Sequence, residues 1–252
     1  MKYTLLDDYK TVSGYIAKDI AETVRTKPGA LLCLAAGHTS LGIFDEMTRM
    51  QNEGTADFRT AYIVGLDEWS GMSREDDGSC AGFLFKNIFE RVGIPEDHIR
   101  LFDGKYTDAD SECLSVEQYI KSHGGIDYMF LGVGMNGHLG LNEPGTDFSL
   151  GAHETVISET TKSVGQKYFC TNTELTKGIT LGIRNILEAR RIVLAADSSR
   201  KSGIIRDFFD SGPDVSIPVT SLKSAANCEI VLDSLAAEGI RDLLREREDA
   251  VI

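Results

Sequence analysis

The chain has 252 residues, 42% of them hydrophobic and 26% charged, which suits one large α/β domain with an ample buried core. Its 26 Lys and Arg against 39 Asp and Glu give a formal charge of −13. That balance argues against nucleic acid and anionic membranes as partners, and it requires any anionic substrate to be gripped by locally placed cations. Cys33, Cys80, Cys113, Cys170 and Cys228 are scattered, with no C-x-x-C pair, so neither a disulfide framework nor a zinc knuckle is expected. The opening MKYTLLDDYKTVSG lacks a signal-peptide pattern, and no apolar run approaches about 18 residues, which predicts a cytoplasmic protein. No repeat, low-complexity tract or linker interrupts the chain, so a single domain over residues 1–252 is expected.

Val12–Val24 carries apolar residues at helical spacing (Val12, Ile16, Ile20, Val24) and stops at Pro28-Gly29. Leu31–Ala36 reads as a buried strand running into Gly37-His38-Thr39-Ser40, followed by a helix with Leu41, Phe44 and Met47 along one stripe. A Gly/Thr turn before a helix can cradle a phosphate with free N–H groups, or can simply cap the helix. Ala61–Leu66 is a second strand, and Asp67-Glu68-Trp69 follows at what reads as its carboxyl end, where open α/β sheets bind ligands. Either carboxylate could instead be structural. The polar segment Ser70–Ser79 suggests a lid, and Ala81–Val92 reads as a helix ended by Gly93–Pro95. A short strand toward Leu101–Phe102 and an amphipathic helix over Ser111–Ser122 come next, with His123 at the helix end as a structural residue.

Ile126–Leu131 is an apolar run ending in the loop Leu131–Pro144, LGVGMNGHLGLNEP. Gly132, Gly134, Gly137 and Gly140 permit tight turns and close approach of a ligand. Among them stand Asn136, His138, Asn142 and Glu143, and a His and Glu brought together by one loop can form a proton-transfer pair. Thr155–Ile157 suggests a strand, with Lys162 and Lys167 in the polar stretch beyond it. Gly178–Gly182 precedes a helical Ile183–Arg190, and Ile192–Ala196 is a further buried strand. It leads through Asp197-Ser198-Ser199-Arg200-Lys201 into a helix over Ser202–Phe209, where a lysine at the helix start is either solvated or paired with a bound anion. Val215–Val219, Glu229–Leu232 and an acidic–basic helix over Ser234–Arg247 complete the chain. Alternating strands and helices predict an α/β fold, Rossmann-like, with a mostly parallel sheet covered on both faces.

The segments CLAAGHTSLG, GLDEW and GVGMNGHLGLNEPG, extended through TKGITLGIRNILEAR, together resemble the amino-sugar-phosphate isomerase/deaminase family. That family includes glucosamine-6-phosphate deaminase and galactosamine-6-phosphate isomerase, and the resemblance covers about Leu31 to Ala196. It implies Asp67 as the base that moves a proton between C2 and C1, and His138 as the group that opens the pyranose ring. It further implies Glu143 orienting His138, Asn136 in a supporting role, and the phosphate on Gly37, His38 and Thr39 with Lys201 as a clamp. Lys167 stands where some members carry arginine, a change that loses bidentate geometry. Ala36, His38 and Ser40 depart from the residues usual in that turn. Trp69 and the wording DDGSCAGFL resemble the galactosamine branch, so the expected substrate is galactosamine 6-phosphate, yielding tagatose 6-phosphate and ammonia. The alternative is glucosamine 6-phosphate, yielding fructose 6-phosphate and ammonia. No cofactor or metal is implied, the expected partner is the small sugar phosphate, and a homo-oligomer is compatible with the sequence.

Two rival readings rank below this one. A 6-phosphogluconolactonase would show Asp-Glu-Arg where this chain has Trp69, and a different continuation after His138. A non-catalytic sugar-phosphate sensor would carry a DNA-binding module, for which the acidic chain offers no basic helix.

Overall fold

The computed structural model describes residues 1–243. In chain order its strands are β1 (Lys2–Leu6), β2 (Leu31–Leu34), β3 (Tyr62–Val64), β4 (Asp67–Trp69), β5 (Ile99–Arg100), β6 (Tyr128–Gly132), β7 (His153–Val156), β8 (Lys177–Thr180), β9 (Ile192–Ala196) and β10 (Cys228–Asp233). Seven of them form one parallel sheet in the order β1-β10-β9-β6-β2-β3-β5. The central strands β2, β9 and β10 (LLCL, IVLAA, CEIVLD) are buried at every residue, as expected of parallel strands covered on both faces. Helix α1 (Tyr9–Thr26) is capped by Asp8, whose carboxylate accepts from Thr11 N at 2.8 Å, and it buries Val12, Ile16, Ile20 and Val24. Helix α2 (Ser40–Asn52) buries Ile43, Phe44 and Met47, while Leu41 is only half-buried.

The strand order places the site. After β2 the chain winds outward through β3 and β5, then returns to β6 beside β2 and winds the other way through β9 and β10. The connections leaving β2 and β6 therefore diverge at their carboxyl ends, and the crevice they leave is where open α/β sheets bind ligands.

Several elements differ from expectation. The strand expected over Ala61–Leu66 stops at Val64, and Asp67 opens β4 in a separate antiparallel sheet, β4-β8-β7. Gly65 allows this change of direction, since a Cβ there would lie 3.1 Å from Leu101 Cα. The helix expected over Ala81–Val92 is continuous but carries a π-turn, Phe85–Phe89, between α-helical Cys80–Leu84 and Glu90–Val92. Val215–Val219, left unassigned by the sequence, runs into the 3₁₀ segment Pro218–Ser224, which Pro218 begins. Strand β1 pairs only with β10 at the sheet edge and has a mostly exposed pattern, so no apolar run announced it. The helix expected over Ser234–Arg247 begins as the 3₁₀ turn Ala236–Ile240, and its end lies outside the described residues. No described helix is long and apolar enough to cross a membrane.

Candidate active site

The loop after β6 turns back on itself through bonds from Gly134 N to His138 O (3.0 Å) and from Gly137 N to Gly134 O (3.1 Å). The His138 ring then lies flat over Gly134, where a Cβ would come within 2.3 Å of the imidazole. His138 Nδ1 is 2.7 Å from Asn136 Oδ1 and 3.1 Å from Thr161 Oγ1. The other end of the Asn136 amide donates to Glu143 Oε2 at 2.8 Å. Glu143 itself is 3.9 Å from Nδ1, beyond hydrogen-bonding reach. The expected direct His138–Glu143 pair is therefore a three-membered chain, with Asn136 as its middle link. Burial pushes the His138 imidazole down to about 4; Glu143 opposes this and Lys201 adds to it.

Asp67 reaches the same crevice from β4. Burial pushes its carboxyl up to about 7, neighbouring Glu68 adds to the rise, and a hydrogen bond from the Cys80 thiol opposes it. Glu68, by contrast, accepts N–H bonds from Trp69 (2.9 Å), Cys80 (2.9 Å) and Ala81 (2.8 Å), so it fixes the start of the helix at Cys80. Of the two carboxylates, Glu68 is thus the structural one, and Asp67 is left facing the cleft.

The third corner is cationic. The turn at 37–39 joins β2 to α2, and Thr39 Oγ1 donates to Asp197 Oδ1 at 2.5 Å, tying it to the turn after β9. The Tyr9 hydroxyl braces the turn, accepting from Gly42 N at 2.7 Å and approaching the carbonyls of His38 and Thr39 at 3.2 Å each. Lys201 Nζ donates to Val133 O at 2.5 Å, at the root of the His138 loop. Burial pushes Lys201 down to about 8, with the charge of Lys167 adding to the shift and Asp197 opposing it. Lys167 is exposed, on the 3₁₀ turn Gln166–Tyr168.

These groups line one cleft of about 1500 Å³, among them Gly37, His38, Thr39, Asp67, His138, Lys167 and Lys201. Asn136 and Glu143 lie behind His138 and do not line the cleft, so they position the histidine. The segment expected as a lid forms a wall. Arg74 binds Glu96 at 2.8 Å and covers the Phe85 ring at 4.6 Å, while Asp77 accepts from Cys170 N at 2.8 Å. Sequence reasoning missed Thr161, Cys80 and Tyr168, whose places depend on contacts between distant segments. Among the described residues no group of three or more His, Cys, Asp or Glu is placed to hold a metal ion.

The sequence pattern of the family described as glucosamine-6-phosphate isomerases/6-phosphogluconolactonase matches residues 8–231. The chain belongs to this family. Within it, a glucosamine-6-phosphate deaminase of Clostridium perfringens (strain 13 / Type A) is 31% identical, covering 94% of this chain and 99% of its own. One from Bacillus velezensis is 34% identical, covering 92% and 96%. A solved structure of a monomeric glucosamine-6-phosphate deaminase superposes with a TM-score of 0.92 at 29% identity, covering 95% of this chain and 100% of that one. A 6-phosphogluconolactonase from Shewanella baltica, at TM-score 0.74 and 17% identity, covers 93% and 98% and shares the fold. The chain is accordingly an enzyme of the amino-sugar-phosphate isomerase/deaminase family.

Proposed function

We propose that this enzyme converts glucosamine 6-phosphate and water into fructose 6-phosphate and ammonia. The observation that carries this reading is that Asp67 and His138 face one cleft that also holds Lys201 and an open helix N-terminus. With its Nδ1 held by Asn136 Oδ1, His138 presents Nε2 as the base. Nε2 takes the proton of the sugar's O1 hydroxyl and returns it to the ring oxygen, opening the pyranose. Asp67 then removes the proton from C2 while the substrate's ammonium group gives one to O1, forming an enolamine, and Asp67 delivers its proton to C1, leaving an iminium at C2. Water adds to that carbon and ammonia leaves. Asp67 is suited to both transfers because its carboxyl sits near neutrality, at about 7. The phosphate rests on the turn at 37–39 and Lys201.

Galactosamine 6-phosphate, the substrate suggested by Trp69 and the DDGSCAGFL segment, has less support. The relatives at 31% and 34% identity are glucosamine-6-phosphate deaminases. Trp69 borders the cleft but is only 6% exposed and packs with Leu141, Ile157 and Leu175, so core packing accounts for most of its ring. The structural relative described as monomeric likewise supports a monomer over a homo-oligomer. Ammonia release measured side by side on the two amino-sugar phosphates tests the proposal. Preference for the galacto isomer by kcat/KM overturns the substrate assignment, and release from neither overturns the reaction.

A further inference from the structure

Next to Lys167, the Tyr168 hydroxyl is a hydrogen-bonding group without a protein partner among the described residues. Its ring is fixed from several sides. Lys167 Nζ lies 4.8 Å from the ring centroid, and Phe83 meets the ring edge-on at 6.3 Å and 78°. The 3₁₀ turn that carries both residues is clamped by Gln166, which donates to Thr173 O at 2.7 Å and accepts from Thr173 N at 3.0 Å. On its far side Phe169 fills the space beside Gly78, where a Cβ would lie 2.4 Å from the ring.

Held this way, the phenol points across the cleft to the turn at 37–39, its oxygen 3.7 Å from the position of a Cβ on Gly37. That turn has donors to spare. The N–H groups of Gly37, His38 and Thr39 have no hydrogen-bond partner among the described residues, and the Thr39 side chain does not cap α2 because it is bound to Asp197. Backbone donors cannot satisfy one another, and the nearby Lys167 and Lys201 add only more donors. What satisfies them all is an oxyanion with several acceptor oxygens. A lysine is a point charge on a flexible stem and fixes no orientation, whereas a phenol on a clamped ring supplies a directed second donor.

We infer that the Tyr168 hydroxyl binds the substrate's phosphate group, donating to an oxygen of the same oxyanion that the 37–39 N–H groups hold. Lys167 and Tyr168 form a two-residue clamp, the first giving charge and the second direction. The inference rests on the proposed sugar-phosphate reading for its substrate, but the phosphate contact can be measured without turnover.

Tyr168→Phe removes one oxygen and keeps the ring, its edge contact with Phe83 and its contact with Lys167. The dissociation constant of inorganic phosphate, measured by titration calorimetry on the whole protein, should rise about tenfold, the scale of one hydrogen bond to a charged group. KM for glucosamine 6-phosphate should rise by a similar factor with kcat within about twofold, the signature of binding lost equally from ground and transition states. An unchanged thermal midpoint without phosphate shows that the fold is intact. Unchanged phosphate affinity and KM in the folded variant overturn the inference. If neither amino-sugar phosphate is turned over but phosphate binding still weakens, the clamp stands and the proposed reaction falls.

Discussion

Asn136 Oδ1 lies 2.7 Å from His138 Nδ1, and this contact decides which ring nitrogen faces the cleft. The amide cannot be reversed, because its Nδ2 donates to the Glu143 carboxylate at 2.8 Å. Glu143 thus sets the amide, the amide oxygen sets the proton on Nδ1, and Nε2 is left as the acceptor. Asn136→Ala should remove the tautomer preference and lower kcat on the cyclic substrate about 10- to 100-fold. The ¹⁵N shifts of the His138 ring should then report a mixed tautomer. Asn136→Asp places a second carboxylate beside Glu143 and the ring, so the imidazole should titrate at higher pH than in the parent. A parent-like titration in Asn136→Asp would show that the two carboxylates share a proton.

The pH dependence of kcat/KM should be bounded by two groups. Asp67 works as a base only when ionised, so activity should climb as pH rises through about 7. Lys201 holds an anion only when charged, so activity should fall as pH rises past about 8. The alkaline limb should be weaker in kcat than in kcat/KM, because bound phosphate keeps Lys201 charged. The Cys80 thiol is the group that pulls Asp67 downward, so Cys80→Ala should move the acid limb to higher pH. Asp67→Asn should lose on the order of a hundredfold or more in kcat. An acid limb unmoved in Cys80→Ala would mean that another group controls it.

Lys201→Ala should raise KM far more than it lowers kcat, since a non-reacting group contributes binding to ground and transition states alike. The expected loss is about tenfold or greater, in line with a charge-assisted hydrogen bond. Steady-state kinetics at pH 7 check this. An unchanged KM would move the main phosphate contact to Lys167 and Tyr168.

The residues of the candidate site were legible where they are close in sequence. Asn136, His138 and Glu143 share one glycine-rich loop after a buried strand, and both the loop and the strand formed as expected. Their wiring was not legible, because it depends on how Gly134 and Gly137 fold the loop, which periodicity does not encode. Asp67 was found as a residue but misplaced: a three-residue strand gives no alternation to read, and its pairing with Lys177–Thr180 is remote in sequence. Cys80 and Tyr168 carry no local signal. Their relation to Asp67 and Gly37 exists only once the wall segment and the 166–168 turn are folded over the cleft.

At the opposite end of the sheet, Glu229 is fully buried and should dominate acid stability. Burial pushes its carboxyl up, but hydrogen bonds from Thr4, Arg191, Lys2 and Tyr15 outweigh this and leave it at about 2. The unfolded value is about 4.3. Its stabilisation is therefore present above that value and is lost as pH falls toward the folded one. Glu229→Gln should cost about 1.5–3 kcal/mol at neutral pH, because a buried neutral amide loses the charge-assisted hydrogen bonds to half-buried Arg191 and exposed Lys2. Arg191 also keeps its pairing with Asp19 at 2.9 Å, which limits the loss. Urea denaturation at pH 7 and pH 3 should show the gap between variant and parent narrowing at the lower pH.

Gly134 provides a test of ring opening that leaves every titrating group in place. Its φ is not positive, so alanine fits the backbone, and the three atoms nearest the added Cβ all belong to the His138 ring, at 2.3–2.5 Å. The ring cannot slide aside without giving up its contact with Asn136 at 2.7 Å or Thr161 at 3.1 Å. Gly134→Ala should therefore displace the imidazole by about 1 Å and cost about a hundredfold in kcat on the cyclic substrate. If His138 serves only to open the ring, an open-chain analogue lacking the ring-closing hydroxyl should be turned over almost normally, and the same should hold for His138→Gln. Combining the two substitutions should cost little more than His138→Gln alone, since both act through one imidazole. Equal losses on cyclic and open-chain substrates would place His138 in the C2-to-C1 proton shift itself, and Asp67 would no longer be its sole agent.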